Sequence, residues 1–542
     1  MKATSATSAT SAPRTVPAWH HTPAARMASR FAVGSRQLGE GAPCFVIAEA
    51  GSNHNGSLAR ARELVEVAAE AGADAVKFQT FQAAKLYPKS AGTSDYLGDP
   101  TPIYDIIQKM EMPPEWLAEL AALARSLGLA FISSPFHEAA VELLDPYVDA
   151  FKIASYELTH APLLRAVAGR DKPVLLSTGA SNLAEVARAV VTLRDAGCDR
   201  LALMQCTASY PTPPHAVHAR ALVTLRDRFD IPTGLSDHSR DPVVAPTVAV
   251  ALGATLIEKH FTLSNDLPGP DHRFAVEPAE LRALCAAVRA AETVLGDARR
   301  DPDAVEAELR SFARRSVFAL RPIAAGQRVE RDDVEVLRHG KNEGGLPPEA
   351  LDRVVGARAR RDLPSDRALQ AEDLAFDAAP ALSLRRADRL DAALLHAWAN
   401  EPAARAASWG RAEIPWPTHL AWLERSLAAE DRALFVASEA GVPIATLRVD
   451  LANVADVAIH GPATGVVSIN LDPSVRGRGL SPLLLGLLDG EARTLGLRRL
   501  IAWIAPENAA SVRAFARAGY VEDGNHDVDG HPALRRVRRL DD

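Results

Sequence analysis

Cysteine is scarce in this chain of 542 residues, and so is lysine. The four cysteines, Cys44, Cys198, Cys206 and Cys285, have neither the spacing of a zinc site nor that of a secreted disulfide framework. A reducing cytoplasm fits that usage best. Only nine lysines stand beside 52 arginines, so a lysine inside an apolar strand asks for a reason. Basic excess is also lacking: the net charge of −7 argues against a nucleic-acid-binding face. No apolar run is long enough to span a bilayer, which argues against a membrane-spanning helix. The first 39 residues contain no acidic residue and are rich in Ser, Thr, Ala and Pro. That composition predicts a disordered tail over 1–39, with an organellar transit peptide as the alternative reading.

What is present is an ordinary globular mixture, 47% hydrophobic and 24% charged, in a chain long enough for two or three domains. From about residue 40 to 300, short β-branched apolar runs alternate with amphipathic helical runs. Eight strands are predicted, beginning near Cys44, Ala73, Leu129, Asp149, Lys172, Arg200, Ile231 and Ala254. Apolar strands separated by helices read as buried parallel strands. Eight of them over this length predict a TIM (β/α)8 barrel rather than an open doubly wound sheet. An acidic linker at Asp301–Glu308 leads to a small β-rich segment over 313–376. A third unit with mixed helices and strands follows over 382–537, making the whole an α/β and α+β protein. No internal repeat is evident.

The polar residues of the predicted barrel cluster at strand ends. Reading each strand to its C-terminal end gives Glu49; Lys77 and Gln79; Ser133 and Ser134; Lys152, Ser155 and Glu157. The later strands end in Ser177; Cys206 and Thr207; Ser236, Asp237 and His238; and Glu258 and His260. Barrel active sites lie on this face. Two lysines among hydroxyls suit an anionic phosphate ester. His238 and His260 at adjacent strand ends could share one divalent metal, Mn or a similar ion, with positions left for oxygen ligands. Glu49 and Glu157 are candidates for moving protons.

These residues lie in motifs that resemble the sialic-acid (nonulosonic acid) synthase family: FVIAEAGSNHNGS from Phe45, DAVKFQTF from Asp74, ISSPF from Ile132 and FKIASYE from Phe151. STGAS from Ser177, CTASYPTP from Cys206, GLSDHS from Gly234, IEKHFTL from Ile257 and PGPDH from Pro268 continue the series in family order. The segment Arg314–Leu374 is similar to the family's antifreeze-like, or SAF, domain. The resemblance implies a metal-dependent (Mn or Mg) condensation of phosphoenolpyruvate with an N-acyl hexosamine, releasing phosphate. It implies that Lys77, Ser134, Lys152, Ser155, Ser177 and Ser236 hold phosphoenolpyruvate, and that Gln79, Tyr210 and Asp271 line the substrate site. His238 and His260 would bind the metal, with Glu49 and Glu157 handling protons. It also implies a domain-swapped homodimer. Two departures stand out: Ala208 where the family often has Asn or Ser, and RHGKNEGG from Arg338 in place of an Arg-Pro-Gly run. Arg338 keeps the arginine that would contact the acceptor.

The third unit has its own signature. Arg476, Gly477, Arg478, Gly479, Leu480 and Ser481 join a strand to an apolar helix, a turn suited to a pyrophosphate. With PENAASVRAFARAGY from Pro506, which includes Asn508, it resembles the acetyl-CoA segments of GNAT-type N-acetyltransferases. WANEP at Trp398 and the run His419–Trp422 resemble GNAT enzymes acting on nucleotide-linked amino sugars. Where many GNATs place a tyrosine acid, this chain has Phe515. The leading expectation is a cytoplasmic bifunctional enzyme without nucleic-acid or membrane partners. One rival is a phosphoenolpyruvate aldol barrel making seven- or eight-carbon acids. Another is a carbohydrate-binding protein whose barrel is inactive, leaving only the acetyltransferase at work.

Overall fold

The computed structural model describes residues 27–93, 100–297, 300–376, 381–451, 463–528 and 530–540. It divides into two compact units, one up to Arg299 and one from Arg300 onward. Among the described residues no helix is long and apolar enough to cross a membrane.

The first unit is a closed barrel of eight parallel strands. These are β3 (Phe45–Gly51), β4 (Ala75–Thr80), β5 (Ala130–Pro135), β6 (Ala150–Ile153), β7 (Val174–Ser177), β8 (Leu201–Cys206), β9 (Thr233–Asp237) and β10 (Leu256–His260). Two-residue periodicity sorts their side chains. Val46, Val76, Phe131, Phe151, Leu176, Leu203 and Ile257 face outward and pack with the helices. Phe45, Ile47, Ala75, Ile132, Ala150, Leu175, Met204 and Leu256 form a separate inner cluster. Gly234 is part of this tight interior. A Cβ there would stand 2.0 Å from the Leu256 carbonyl oxygen, so only glycine lets β9 lie against β10.

The expected tail over 1–39 needs correction. Residues 1–26 lie outside the described residues, but Arg30–Val33 (β1) and Arg36–Gly39 (β2) form an antiparallel hairpin. Phe31 and Val33 alternate with exposed neighbours, and with Leu38 they join the inner barrel cluster. Apolar alternation supplies the burial that a purely compositional reading overlooks.

The second unit holds two small sheets and one large one. The small sheets comprise β11 (Arg315–Ala319), β12 (Val334–Arg338) and β14 (Arg367–Ala368), and β13 (Arg358–Ala359) with β15 (Leu374–Ala375). The acidic stretch before them runs into a short exposed helix, Ala307–Phe312. A repeat absent from the sequence reading appears here. Arg321, Ile323, Val329, Asp333 and Val334 recur, about 40 residues on, as Arg361, Leu363, Leu369, Asp373 and Leu374. Ile323 and Leu363 bridge across the repeat axis. Each aspartate is fully buried, receives its arginine, and accepts a backbone N–H, from Glu330 at 2.7 Å and from Gln370 at 2.9 Å. Only scattered positions match, which hides the repeat from simple inspection.

The large sheet runs β16 (Leu382–Arg386), β17 (Arg432–Glu439), β18 (Val442–Leu451), β19 (Thr464–Leu471), β20 (Arg499–Ile504), β22 (His531–Arg539), β21 (Val521–Val528). All pairings are antiparallel except β19 with β20.

The paired buried aspartates give a test. Asp333→Ala and Asp373→Ala should each lower stability by about 3 kcal/mol, because a buried backbone N–H and an arginine lose the same acceptor. Urea unfolding of the full chain checks this, and equal losses at both sites would verify the repeat.

Candidate active sites

Continuing the inner periodicity past the apolar layer brings Glu49, Lys77, Gln79, Ser134, Lys152, Ser177, Cys206, Ser236, Glu258 and His260 to the C-terminal mouth. They are interlocked. Glu258 Oε1 lies 3.6 Å from Lys77 Nζ, 3.4 Å from Lys152 Nζ, and accepts from Ser236 Oγ at 3.2 Å. Lys77 also pairs with Glu49 at 2.8 Å and reaches Ser134 Oγ at 3.4 Å. Lys152 donates to Ser177 Oγ at 2.7 Å. Gln79 donates to Glu49 Oε1 at 3.0 Å. Ser155 Oγ accepts from the Gly179 N–H at 3.0 Å and touches Cys206 Sγ at 3.4 Å.

All four charged groups are buried. Burial pushes the Glu49 carboxyl up to about 7, against the pull of Lys77. Burial would raise Glu258 too, but Lys152 and Lys77 hold it below the usual carboxylate range. Burial draws Lys152 down, while the two carboxylates hold Lys77 above its ordinary value despite burial. The mouth therefore keeps one firm negative charge between two lysines and one carboxyl poised to hold a proton near neutrality.

Beside this cluster sit two imidazoles whose ring centroids are 5.4 Å apart. His238 Nδ1 meets the Thr207 carbonyl at 2.9 Å. A carbonyl accepts only from N–H, so Nδ1 carries the proton and Nε2 is left as a donor of electrons. His260 Nδ1 is buried with no hydrogen-bond partner, and Asp271 Oδ2 stands 3.9 Å away. The unpartnered Nδ1 of His260 beside the His238 ring fits a divalent cation whose other positions are filled by oxygen. Among the described residues no group of three or more His, Cys, Asp and Glu assembles at ligating spacing. Tyr210 stacks on His238 at 4.1 Å and meets Phe274 at 5.3 Å, walling the site.

Two expected residues have other local surroundings. Glu157 is half-buried and pairs with His160 at 3.3 Å. Arg338 ends β12 in the second unit, where it is exposed. Glu258, which the sequence places at a strand end without a role, occupies the centre. The alternation Leu256, Glu258, His260 along β10 is the signal that points it inward.

In the large sheet, β19 pairs with β20 only from Thr464 to Val466. Beyond that, Val467–Leu471 stay with β18 while Ala502–Ile504 stay with β22, so the two strands part. A groove of about 550 Å³ opens there, lined by Asn470, Arg476, Gly477, Gly479, Ser481 and Asn508 among others. Gly477 and Gly479 have φ of +80° and +74°, a left-handed turn that helps present backbone N–H groups to an anion. Arg478 and Leu480 do not line it. Arg478 pairs with both oxygens of Glu439 at 2.8 Å, and Leu480 is packed in the core. Asn508 caps the helix Ala509–Arg517 through the Ser511 N–H. Phe515 is buried against Tyr520.

A parallel barrel with a lysine–carboxylate mouth, followed by a splayed sheet with a glycine-rich anion loop, defines a carbon-skeleton synthase joined to an acyltransferase fold. Family models bear on each part: the NeuB family over residues 64–300, the SAF domain over 314–375 and the acetyltransferase (GNAT) family over 396–520. The chain is 39% identical to the spore coat polysaccharide biosynthesis protein SpsE of Bacillus subtilis, an alignment covering 65% of this chain and 98% of that protein. It is 39% identical to the N,N'-diacetyllegionaminic acid synthase of Legionella pneumophila, over 61% of this chain and 94% of that one. With the pseudaminic acid synthase of Campylobacter jejuni it shares 34% identity, over 61% and 96%. The chain belongs to the NeuB family of nonulosonic acid synthases, and carries SAF and GNAT domains after the barrel.

Glu258 provides the test of this electrostatic arrangement. Glu258→Gln leaves two buried lysines without their shared partner and should lower stability by about 3 kcal/mol. Millimolar inorganic phosphate should then raise the thermal midpoint of the variant more than that of the unmodified protein, as read by differential scanning fluorimetry.

Proposed function

We propose that residues 40–300 condense phosphoenolpyruvate with an N-acylated hexosamine, forming a nine-carbon acid of the sialic, legionaminic or pseudaminic type. Residues 313–376 would follow as the SAF domain, and residues 382–537 would transfer an acetyl group from acetyl-CoA to an amino sugar. One observation carries the reading: Lys77 and Lys152 flank Glu258 among Ser134, Ser177 and Ser236, beside the paired imidazoles of His238 and His260. A dead barrel would have no reason to keep four buried charges, which cost stability unless used.

In this reading the two lysines and the three serines hold the phosphate and carboxylate of phosphoenolpyruvate, with Ser155 and the Gly179 N–H at their edge. Gln79, Tyr210 and Asp271 flank the acceptor. C3 of phosphoenolpyruvate attacks the aldehyde carbon, water adds at C2, and the C2–O bond breaks to release phosphate. A divalent cation such as Mn or Mg, held by His238 and His260, would supply positive charge to the aldehyde oxygen. Glu49, with its carboxyl raised to about 7, can hand a proton to that oxygen as negative charge develops. Lys77, paired with Glu49, compensates the charge that Glu49 then carries. Glu157, paired with His160, is left to orient acceptor hydroxyls. Arg338 reaches the acceptor of a second subunit in a domain-swapped dimer.

Phosphate release from phosphoenolpyruvate with Mn decides it, tried with N-acetylmannosamine, its 6-phosphate and 2,4-diacetamido-6-deoxy hexoses. Release with one acceptor, lost on chelation and reduced at least about 100-fold by His238→Ala, is the expected result. No release with any acceptor from folded, metal-supplemented protein would reject the reading.

A further inference from the structure

Phe515, at the position where many GNATs place a tyrosine acid, is buried and offers no hydroxyl. A second cavity, of about 410 Å³, is lined in part by a histidine. It shares Ala407, Ile469, Asn470 and Asn508 with the groove at the strand splay, so the two spaces adjoin along the end of β19. Its remaining wall includes His419, Trp422, Leu434, Thr446 and Arg448. Among the described residues no carboxylate lines it.

His419 sits on the helix Trp416–Ala428 and is almost fully buried. Its Nε2 meets the Ala392 carbonyl at 3.0 Å, which places the proton on Nε2 and leaves Nδ1 with a lone pair. Three neighbouring rings fix the imidazole plane: His396 at 5.0 Å, Trp422 at 5.3 Å and Trp416 at 6.1 Å between centroids. The other basic groups of the wall are committed elsewhere. Arg405 donates to the carbonyls of Ala399 and Gly410, and Arg448 pairs with Asp450 at 2.9 Å.

We propose that His419 is the catalytic base of acetyl transfer, accepting at Nδ1 the proton shed by an amine bound in this cavity. The proposal rests on the acetyl-CoA reading given above. The amine nitrogen's lone pair forms the N–C bond at the thioester carbonyl, and the C–S pair departs on sulfur. One N–H proton passes to Nδ1, and the imidazolium returns it to the CoA thiolate, leaving an amide, a free thiol and neutral His419. Burial holds the imidazole below its ordinary pKa, with His396 adding to the effect, so the ring is neutral and able to accept at neutral pH. The charged and titratable groups around it are His396, Arg405 and Arg448, none of them anionic.

The test uses the full chain. Calorimetry measures acetyl-CoA binding, and thiol release is followed with 2-amino and 4-amino hexoses, free and linked to uridine diphosphate. His419→Gln should bind acetyl-CoA as tightly as the unmodified protein but turn over about 100-fold more slowly. The unmodified enzyme should lose kcat/KM as pH falls, with a limb more acidic than an ordinary histidine, and His419→Gln should lack that limb. His396→Gln should keep it, which preserves the test should His419→Gln fail to fold. Full activity in His419→Gln, or loss of the limb in His396→Gln, overturns the proposal. So does acetyl-CoA binding without thiol release for every amine. Failure to bind acetyl-CoA overturns the underlying reading instead.

Discussion

Everything at the barrel mouth depends on one carboxylate between two ammonium groups. Remove Glu258 and Lys77 and Lys152 face each other without a shared counter-charge, both buried. Such an arrangement is expensive, because desolvation of each ion must be offset by its partners. A protein selected for stability alone would fill the layer with leucines, as it does one turn of the pleat lower with Ile47, Leu175, Met204 and Leu256. The contrast between adjacent inner layers is the clearest physical sign of a working site. The apolar layer and the plug of Phe31, Val33 and Leu38 close one end of the barrel and leave the charged layer to the other.

Much of this was legible in the amino-acid order. Strand runs such as KPVLLSTG and ATLIEKHF announce buried parallel strands, and their polar C-terminal residues announce the face that carries chemistry. The pairings within that face were not legible. Nothing local in the sequence says that Lys77 on β4 meets Glu49 on β3 at 2.8 Å, or that Glu157 turns toward His160. Those contacts depend on barrel closure and on loop paths. Glu258 was within reach of sequence reasoning, since Leu256 and His260 share its parity along one strand. The repeat of Arg321 and Asp333 in Arg361 and Asp373 was harder to see. It is carried by a few scattered, mostly buried positions while most of those between have diverged.

The acetyltransferase half shows the same division between pattern and register. The turn at Arg476–Ser481 is visible as a glycine-rich link between strand and helix. The strand splay that makes it useful appears only in the ladder, where pairing of β19 with β20 stops at Val466. Gly465 sits just before that point, with Leu497, Val449 and Leu500 all close to where a Cβ would be. Tight packing at one end of the strand pair and separation at the other convert a continuous sheet into a wedge. Unpaired backbone near Asn470 then faces the groove rather than a neighbouring strand.

Two arginines meet at Glu439, and this ties the loop to the rest of its unit. Arg478 comes from the glycine-rich turn and Arg353 from the short helix Leu351–Val354 of the SAF segment; each lies 2.8 Å from Glu439 Oε1. Arg353 also stacks over the Phe376 ring, with its guanidinium carbon 4.4 Å from the centroid. A loop whose backbone must meet a phosphate gains from having one side chain anchored, because the ordering cost is met before ligand arrives. Arg478 is held at Glu439, while Gly477 and Gly479 line the groove. Sequence alone gives those three residues one role; the geometry separates them into an anchor and an approach.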